Sequence, residues 1–405
     1  MIQVSKKQDC CGCSACVQRC PRHCISMKED AEGFLYPDVD MTQCIDCGIC
    51  EKVCPWLNLH EKSKIQEVLG AKNIDRKERM ESSSGGVFIA LAKKVIENGG
   101  VVFGAVFNEC WEVVHTYAEN LKDVKSMMGS KYMQSRMENS YREAEGFLKR
   151  GRTVLFTGCP CQITGLHNYL GKEYHNLISV DFLCHGVPSP GVWRKYLTEV
   201  STSFPKEING ISLDFSTKIT GIDFRNKQQS GWKNFYLTIT GLSNGTEKVL
   251  LSDKHKNNPF MKGFLGDLYL RPSCYNCKCK NGASHSDLTI ADFWGISSIM
   301  PDFDDDKGVS LVLVNTDKGR NVLALCDLEI RKSTLDDARR FNGGFKETVI
   351  IPPKRDAFFH HYNSGYAISP WIDKELRIPM KMRMVDKMWN TIIILKSIIK
   401  KYHKS

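Results

Sequence analysis

Residues 10–21 read CCGCSACVQRCP and residues 44–55 read CIDCGICEKVCP. Both carry the spacing C-x2-C-x2-C-x3-C-P, with Cys10, Cys13, Cys16 and Cys20 before Pro21, and Cys44, Cys47, Cys50 and Cys54 before Pro55. Three cysteines at intervals of three let a tight turn wrap three corners of a 4Fe-4S cubane, and the fourth reaches the neighbouring cluster. The spacing predicts one cluster on Cys10, Cys13, Cys16 and Cys54, and a second on Cys44, Cys47, Cys50 and Cys20. The proline ends the loop because it has no N–H to continue a ladder. Zinc also takes four thiolates, but usually through paired C-x2-C hooks, not triple runs that end in Cys-Pro. No signal-like segment precedes Cys10, so reduced thiols and a cytoplasmic setting are expected in preference to a disulfide framework. Cys11 and Cys24 are left over and read as small packing residues.

A chain of 405 residues is too long for such a module alone and predicts two or three domains. Its 25% charged and 42% hydrophobic residues are ordinary globular values. The net charge of +10 is concentrated at one end. Residues 376–405 hold eight Lys/Arg against Asp386 alone, so the remainder is nearly balanced and nucleic-acid binding is not indicated. Within that tail, residues 388–399 (MWNTIIILKSII) are too short to span a bilayer. They read as a terminal helix docked on the body, with peripheral contact to anionic lipid as the other reading.

The chain divides into a ferredoxin-like module at 1–57, a polar linker at 58–67, body segments at 68–150 and 151–350, and a C-terminal extension at 351–405. Residues 87–98 are an amphipathic helix opened by ESSSGG at 81–86. Strands are predicted at 101–107, 115–118, 153–157, 177–183 and 309–315, the last clear one, and helices at 141–150 and 259–270. Residues 211–251 read as a β-rich insertion. Strands alternating with helices make the body α/β, so the fold class is α+β to α/β with an N-terminal dicluster module.

Three constellations lie outside that module. Ser83, Ser84, Gly85 and Gly86 precede a helix, where free N–H groups and the helix dipole suit an anion, although serines there are usually only caps. Gly129, Ser130, Lys131 and Tyr132 offer a cation for a phosphate and a ring face, or form a plain surface turn. Cys161 and Cys184 follow predicted strand ends, where ligands gather in open α/β sheets. With the C-x2-C pair Cys274 and Cys277 they would complete a third four-thiolate site; such hooks also bind zinc or stay free.

The segments LFTGCPCQITGL, DFLCHGVPSP, RPSCYNCKCK, SDLTIADFWGI and KGVSLVLVN, in that order, resemble the coenzyme F420 hydrogenase/dehydrogenase beta-subunit family. ESSSGGVFIAL and GSKYMQS resemble its flavin region. The resemblance implies an FAD- and iron-sulfur-dependent oxidoreductase with a mixed α/β flavin- and cluster-binding body. It places a third 4Fe-4S cluster on Cys161, Cys184, Cys274 and Cys277, with Cys159 and Cys279 beside the ligands. It puts FAD contacts on Ser84, Gly85 and Gly86 and on Gly129, Ser130, Lys131 and Tyr132. Asp292, Phe293 and Trp294 match its D-F-W-G. Electrons would pass between a ferredoxin or redox partner subunit, the clusters, FAD and a small-molecule two-electron substrate such as coenzyme F420, with His185 as a candidate proton donor. The alternative is a non-catalytic electron-transfer subunit of a larger complex.

Overall fold

A computed structural model describes residues 1–203, 207–208, 211–212, 219–243, 246–345 and 349–377. The apolar stretch at 388–399 and nearly all of the basic tail lie outside the described residues. At the N-terminus each cysteine run leads into a short helix, Ala15–Arg19 and Ile49–Lys52. Between the runs, β1 (Ile25–Glu29) pairs antiparallel with β2 (Leu35–Val39).

The body is built on one eight-stranded sheet. Its strands are β3 (Glu67–Asn73), β4 (Val101–Phe107), β5 (Val113–Ala118), β6 (Val154–Thr157), β7 (Leu177–Phe182), β13 (Leu288–Asp292), β14 (Ser310–Val314) and β15 (Leu328–Lys332). Between β7 and β13 come a two-residue pair, β8 (Glu207–Ile208) and β9 (Ile211–Ser212), and an antiparallel meander of β10 (Ile219–Asn226), β11 (Tyr236–Ser243) and β12 (Thr246–Lys254). The large sheet runs β15-β3-β14-β13-β7-β6-β4-β5. Its centre, β13-β7-β6-β4, is parallel and its flanks are antiparallel. Because β4 pairs with β6, the segments before and after residue 150 share one sheet.

Side chains alternate across the strands, so both faces are apolar at the centre. Val102 and Leu155 face the helix Val87–Glu97, while Val101, Phe103 and Phe156 face the helices Ser140–Lys149 and Pro160–Leu170. Phe103 stacks on Phe156 at 5.2 Å, and each such buried ring contributes about 2 kcal/mol. A second core gathers Trp193, Phe224 and Phe260 with Phe358 and Ile372 from the helices Arg355–Asn363 and Ile368–Glu375, which seats much of the C-terminal extension on the body.

Three expectations shift. Strand β15 follows the strand taken as last; its alternation Leu-Glu-Ile-Arg-Lys is that of a half-exposed edge strand and gives a weak apolar signal. Strand β13 is short and lies inside a motif quoted only for its resemblance. The helix expected over 259–270 stops at Leu265, where Gly266 and the positive φ of Asp267 end it.

The N-terminal module is docked, not tethered. Within the expected linker, the His60 ring lies 2.6 Å from Asn168 Oδ1, and Ser63 Oγ donates to the Gly282 carbonyl at 3.0 Å. Arg355 grips Glu32 through two hydrogen bonds of 3.0 and 2.6 Å, in a contact where the arginine side chain is 9% exposed. At the same junction, a Cβ on Gly33 would sit 2.6 Å from Gly191 Cα, so only glycine lets the two backbones meet. Glu32→Ala is therefore expected to weaken docking by about 2 kcal/mol. Limited proteolysis should show faster cleavage around residues 58–66; unchanged protection would mean that the Arg355 contact contributes little.

Candidate iron-sulfur and flavin sites

The two cysteine runs converge on two cavities. One, of about 320 Å³, is lined by Cys10, Cys13, Cys16 and Cys54, with Cys11, Asp9 and Lys278 also on its wall. The other is lined by Cys20, Cys44, Cys47 and Cys50, with Cys24 beside them and Cys24 Sγ 3.5 Å from Cys20 Sγ. In each case the fourth thiol comes from the other run, as crossed ligation requires. Four thiols around one space suit a cubane with a ligand at each corner. Burial pushes the Cys54 thiol up to about 11. Thiolates crowded here need cluster iron to offset their charge. Among the described residues, no group of three or more His, Cys, Asp or Glu could hold a single metal ion.

The third thiol set is where β6, β7 and a 3-10 turn meet. Cys184 follows the end of β7, and Cys274 and Cys277 come from the turn at Pro272–Asn276. The cysteine that meets them is Cys159. Its thiol interacts with that of Cys184 and feels the charge of Cys274 and Cys277. Cys161, the expected member, instead contacts Cys11 and lies near Cys279. The reason is local. Cys159 is the extended N-cap of the helix Pro160–Leu170, its N–H held by Gln162 Oε1 at 2.8 Å, whereas Cys161 is already inside the helix. Two residues around a helical start turn the side chain to a different face, here toward the N-terminal module. The interaction with Cys159, helped by the charges of Lys280 and His185, lowers Cys184 to about 7 against the cost of burial. Burial, with Cys184 as the strongest charged neighbour, pushes Cys274 up to about 12. Burial likewise raises Cys277 to about 11.

Cys11 and Cys161 join this set to the first cavity. Cys11 contacts both Cys13 and Cys161 through its side chain. Gly165 lies against Cys13, where a Cβ would stand 3.1 Å from Cys13 Sγ. The first cavity of the N-terminal module therefore abuts the body at Cys13 and Gly165.

Two candidate flavin segments also meet, although not as a free helix N-terminus. The backbone N–H and the hydroxyl of Ser130 both donate to Ser83 Oγ, at 2.6 and 2.9 Å. Gly129, at φ +80°, has open space where a Cβ would be. Gly85 behaves differently. Its N–H donates to Ser310 Oγ at 2.9 Å, and a Cβ would stand 2.3 Å from the Ala71 carbonyl oxygen. Ser84 Oγ donates to the Val309 carbonyl, and Gly86 takes the left-handed N-cap conformation at φ +82°. Ser84, Gly85 and Gly86 thus pack the helix start onto β3 and β14, and the expected pyrophosphate donor at Gly85 is already engaged.

Lys131 is half-buried; its ammonium donates to the carbonyls of Met127, Met128 and Gly129, and desolvation lowers it to about 8. The Tyr132 hydroxyl accepts from Arg225 Nη1 at 3.2 Å. Arg225 also pairs with Asp292 at 2.7 Å and lies 4.1 Å from the Phe235 ring. Trp232 Nε1 donates to Asp292 as well, and Trp232 stacks on Trp294 at 5.0 Å. The D-F-W-G aspartate is thus the anchor of a buried arginine. Arg225 and Trp232 have no local motif to mark them, so only the fold brings them here. His185 lies 2.6 Å from the Asp267 carboxylate and edge-on to Phe264, beside Cys184 but committed to that pair.

Cysteine-lined cavities docked against a covered α/β sheet are the architecture of an iron-sulfur protein. Residues 9–58 match the family described as 4Fe-4S dicluster domain, and residues 151–335 match the family described as the C terminus of the coenzyme F420 hydrogenase/dehydrogenase beta subunit. The chain therefore joins a 4Fe-4S dicluster domain to the C-terminal domain of the coenzyme F420 hydrogenase/dehydrogenase beta-subunit family. It is 28% identical over 183 residues to Coenzyme F420-dependent sulfite reductase of Methanocaldococcus jannaschii, covering 44% of this chain and 28% of the relative. It is 27% identical over 174 residues to the F subunit of F(420)H(2) dehydrogenase of Methanosarcina mazei, covering 40% of this chain and 49% of the relative. The chain thus spans about half or less of the length of these two relatives. A ferredoxin of Hydrogenibacillus schlegelii, named Ferredoxin 7Fe, is 41% identical over 54 residues, 13% of this chain and 63% of the relative. The F420-reducing [NiFe] hydrogenase complex of Methanosarcina barkeri aligns with a TM-score of 0.42 at 16% identity, covering 69% of this chain and 89% of that one. Among the described residues, no helix is long and apolar enough to cross a membrane.

Proposed function

We propose that this protein passes single electrons along three 4Fe-4S clusters to FAD, and from there to or from a two-electron substrate. The clusters would be held by Cys20, Cys44, Cys47 and Cys50; by Cys10, Cys13, Cys16 and Cys54; and by Cys159, Cys184, Cys274 and Cys277. The observation that carries this reading is the docking of the Cys10 cavity against the body, where Gly165 packs on Cys13. Ser83, Ser130, Lys131 and Tyr132 would hold FAD, beyond the third set. What FAD supplies when bound is exchange of a hydride with one partner and of single electrons with another. The chain's own residues do the rest: the apolar core behind Cys13 backs the clusters, and half-buried Lys131 presents a cation for an anionic ring or phosphate. The F420-named relatives favour a deazaflavin as the substrate and a redox subunit or ferredoxin as the partner. We place the protein in the cytoplasm.

Iron, sulfide and flavin content of anaerobically purified protein tests this. The expected result is about twelve iron and one FAD per chain, on four iron per cluster. About eight iron would sink the third cluster, and absence of flavin would sink the FAD assignment. A second reading, an electron relay without a substrate of its own, is favoured by the relative named as a dehydrogenase subunit. Bleaching of the flavin by a reduced deazaflavin supports the enzyme; reduction only through a protein partner supports the relay.

A further inference from the structure

Arg271 is fully buried and reaches from the body into the N-terminal module. Its Nε donates to the Cys10 carbonyl at 2.7 Å, Nη1 to Gln134 Oε1 at 2.8 Å and Nη2 to the Leu35 carbonyl at 2.9 Å. Nη2 also lies 3.6 Å from Cys10 Sγ, and the guanidinium sits 4.3 Å from the Tyr36 ring centre. Among the described residues, its hydrogen-bond partners are neutral groups or a cysteine, and none is a carboxylate. The same turn supplies Cys274 three residues later, so one element fixes the cation beside the first cavity and a thiol of the third set.

The other charges do not provide this. The wall of the Cys10 cavity carries Asp9 against Lys278, and that of the Cys20 cavity carries Arg22 against Asp46. The Cys10 set also lies between the two other thiol sets, whose negative charge opposes adding an electron there. A buried cation within reach of a ligand sulfur stabilises the reduced, more negative cluster, since charge and hydrogen bonds to sulfur set its potential. We infer that Arg271 holds up the reduction potential of the cluster bound by Cys10, Cys13, Cys16 and Cys54, keeping it usable as the bridge between module and body. This rests on the cluster assignment above.

The test is a redox titration of the full chain, followed by electron paramagnetic resonance with iron content measured in parallel. Arg271→Met should move one midpoint potential to a more negative value by at least tenfold in the equilibrium, about 59 mV for one electron, with smaller shifts at the others. Arg271→Lys keeps the charge and should stay near wild type. Full iron with unmoved potentials in Arg271→Met overturns the assignment alone. So does a tenfold shift in Arg271→Lys, which also decides the matter if the methionine variant loses iron. A wild-type chain without iron at this site overturns the cluster assignment and this inference together.

Discussion

Cys159→Ser is expected to remove about four of the roughly twelve iron atoms per chain, on four iron per cluster, while Cys161→Ser leaves the count near wild type. The contrast follows from position. Cys159 interacts with Cys184 and shares the electrostatic field of Cys274 and Cys277, whereas Cys161 interacts with Cys11. Electron transfer from the module to any acceptor on the body should fall with the cluster in the first variant. Iron analysis with cluster spectroscopy on both variants decides between the two thiols. The reverse outcome, iron lost in Cys161→Ser and kept in Cys159→Ser, would return the fourth position to Cys161 and show that cluster binding rotates the helix start.

Asp292→Ala is expected to destabilise the body by about 3–5 kcal/mol, because it leaves the Arg225 guanidinium uncompensated. Arg225 is 4% exposed at its side chain and pairs with Asp292 through both terminal nitrogens, at 2.7 and 3.2 Å. Trp232 loses its acceptor in the same step. Asp292→Asn keeps an acceptor and should cost less. Thermal melts of the loaded proteins measure the difference. Flavin content should fall too, because Arg225 positions the Tyr132 hydroxyl. A loss under about 1 kcal/mol would mean that water replaces the carboxylate at Arg225.

Much of this was legible in the chain. The cysteine runs announce their chemistry because cubane ligation is met mostly within one loop, and local spacing survives any fold. Strands at 101–107 and 153–157 are legible because their residues are apolar on both faces of a covered sheet. Strand β15 is not, since an edge strand buries only part of one face. Ser84, Gly85 and Gly86 look like an anion cradle, yet glycine before a helix serves close backbone packing equally well. Only the 2.3 Å approach to Ala71 distinguishes the two roles.

By itself, the sequence determined that the N-terminal runs carry the spacing of a 4Fe-4S dicluster domain and that a covered α/β body follows. These depend on covalent spacing and on the period of apolar residues, which are local. Tertiary structure alone turns Cys159 toward Cys184 and Cys161 toward Cys11. It also decided that residues 58–66 are pinned and that Arg271 and Arg355 fasten the module to the body. Each depends on the direction in which one element approaches another, and that direction is set by packing across hundreds of residues.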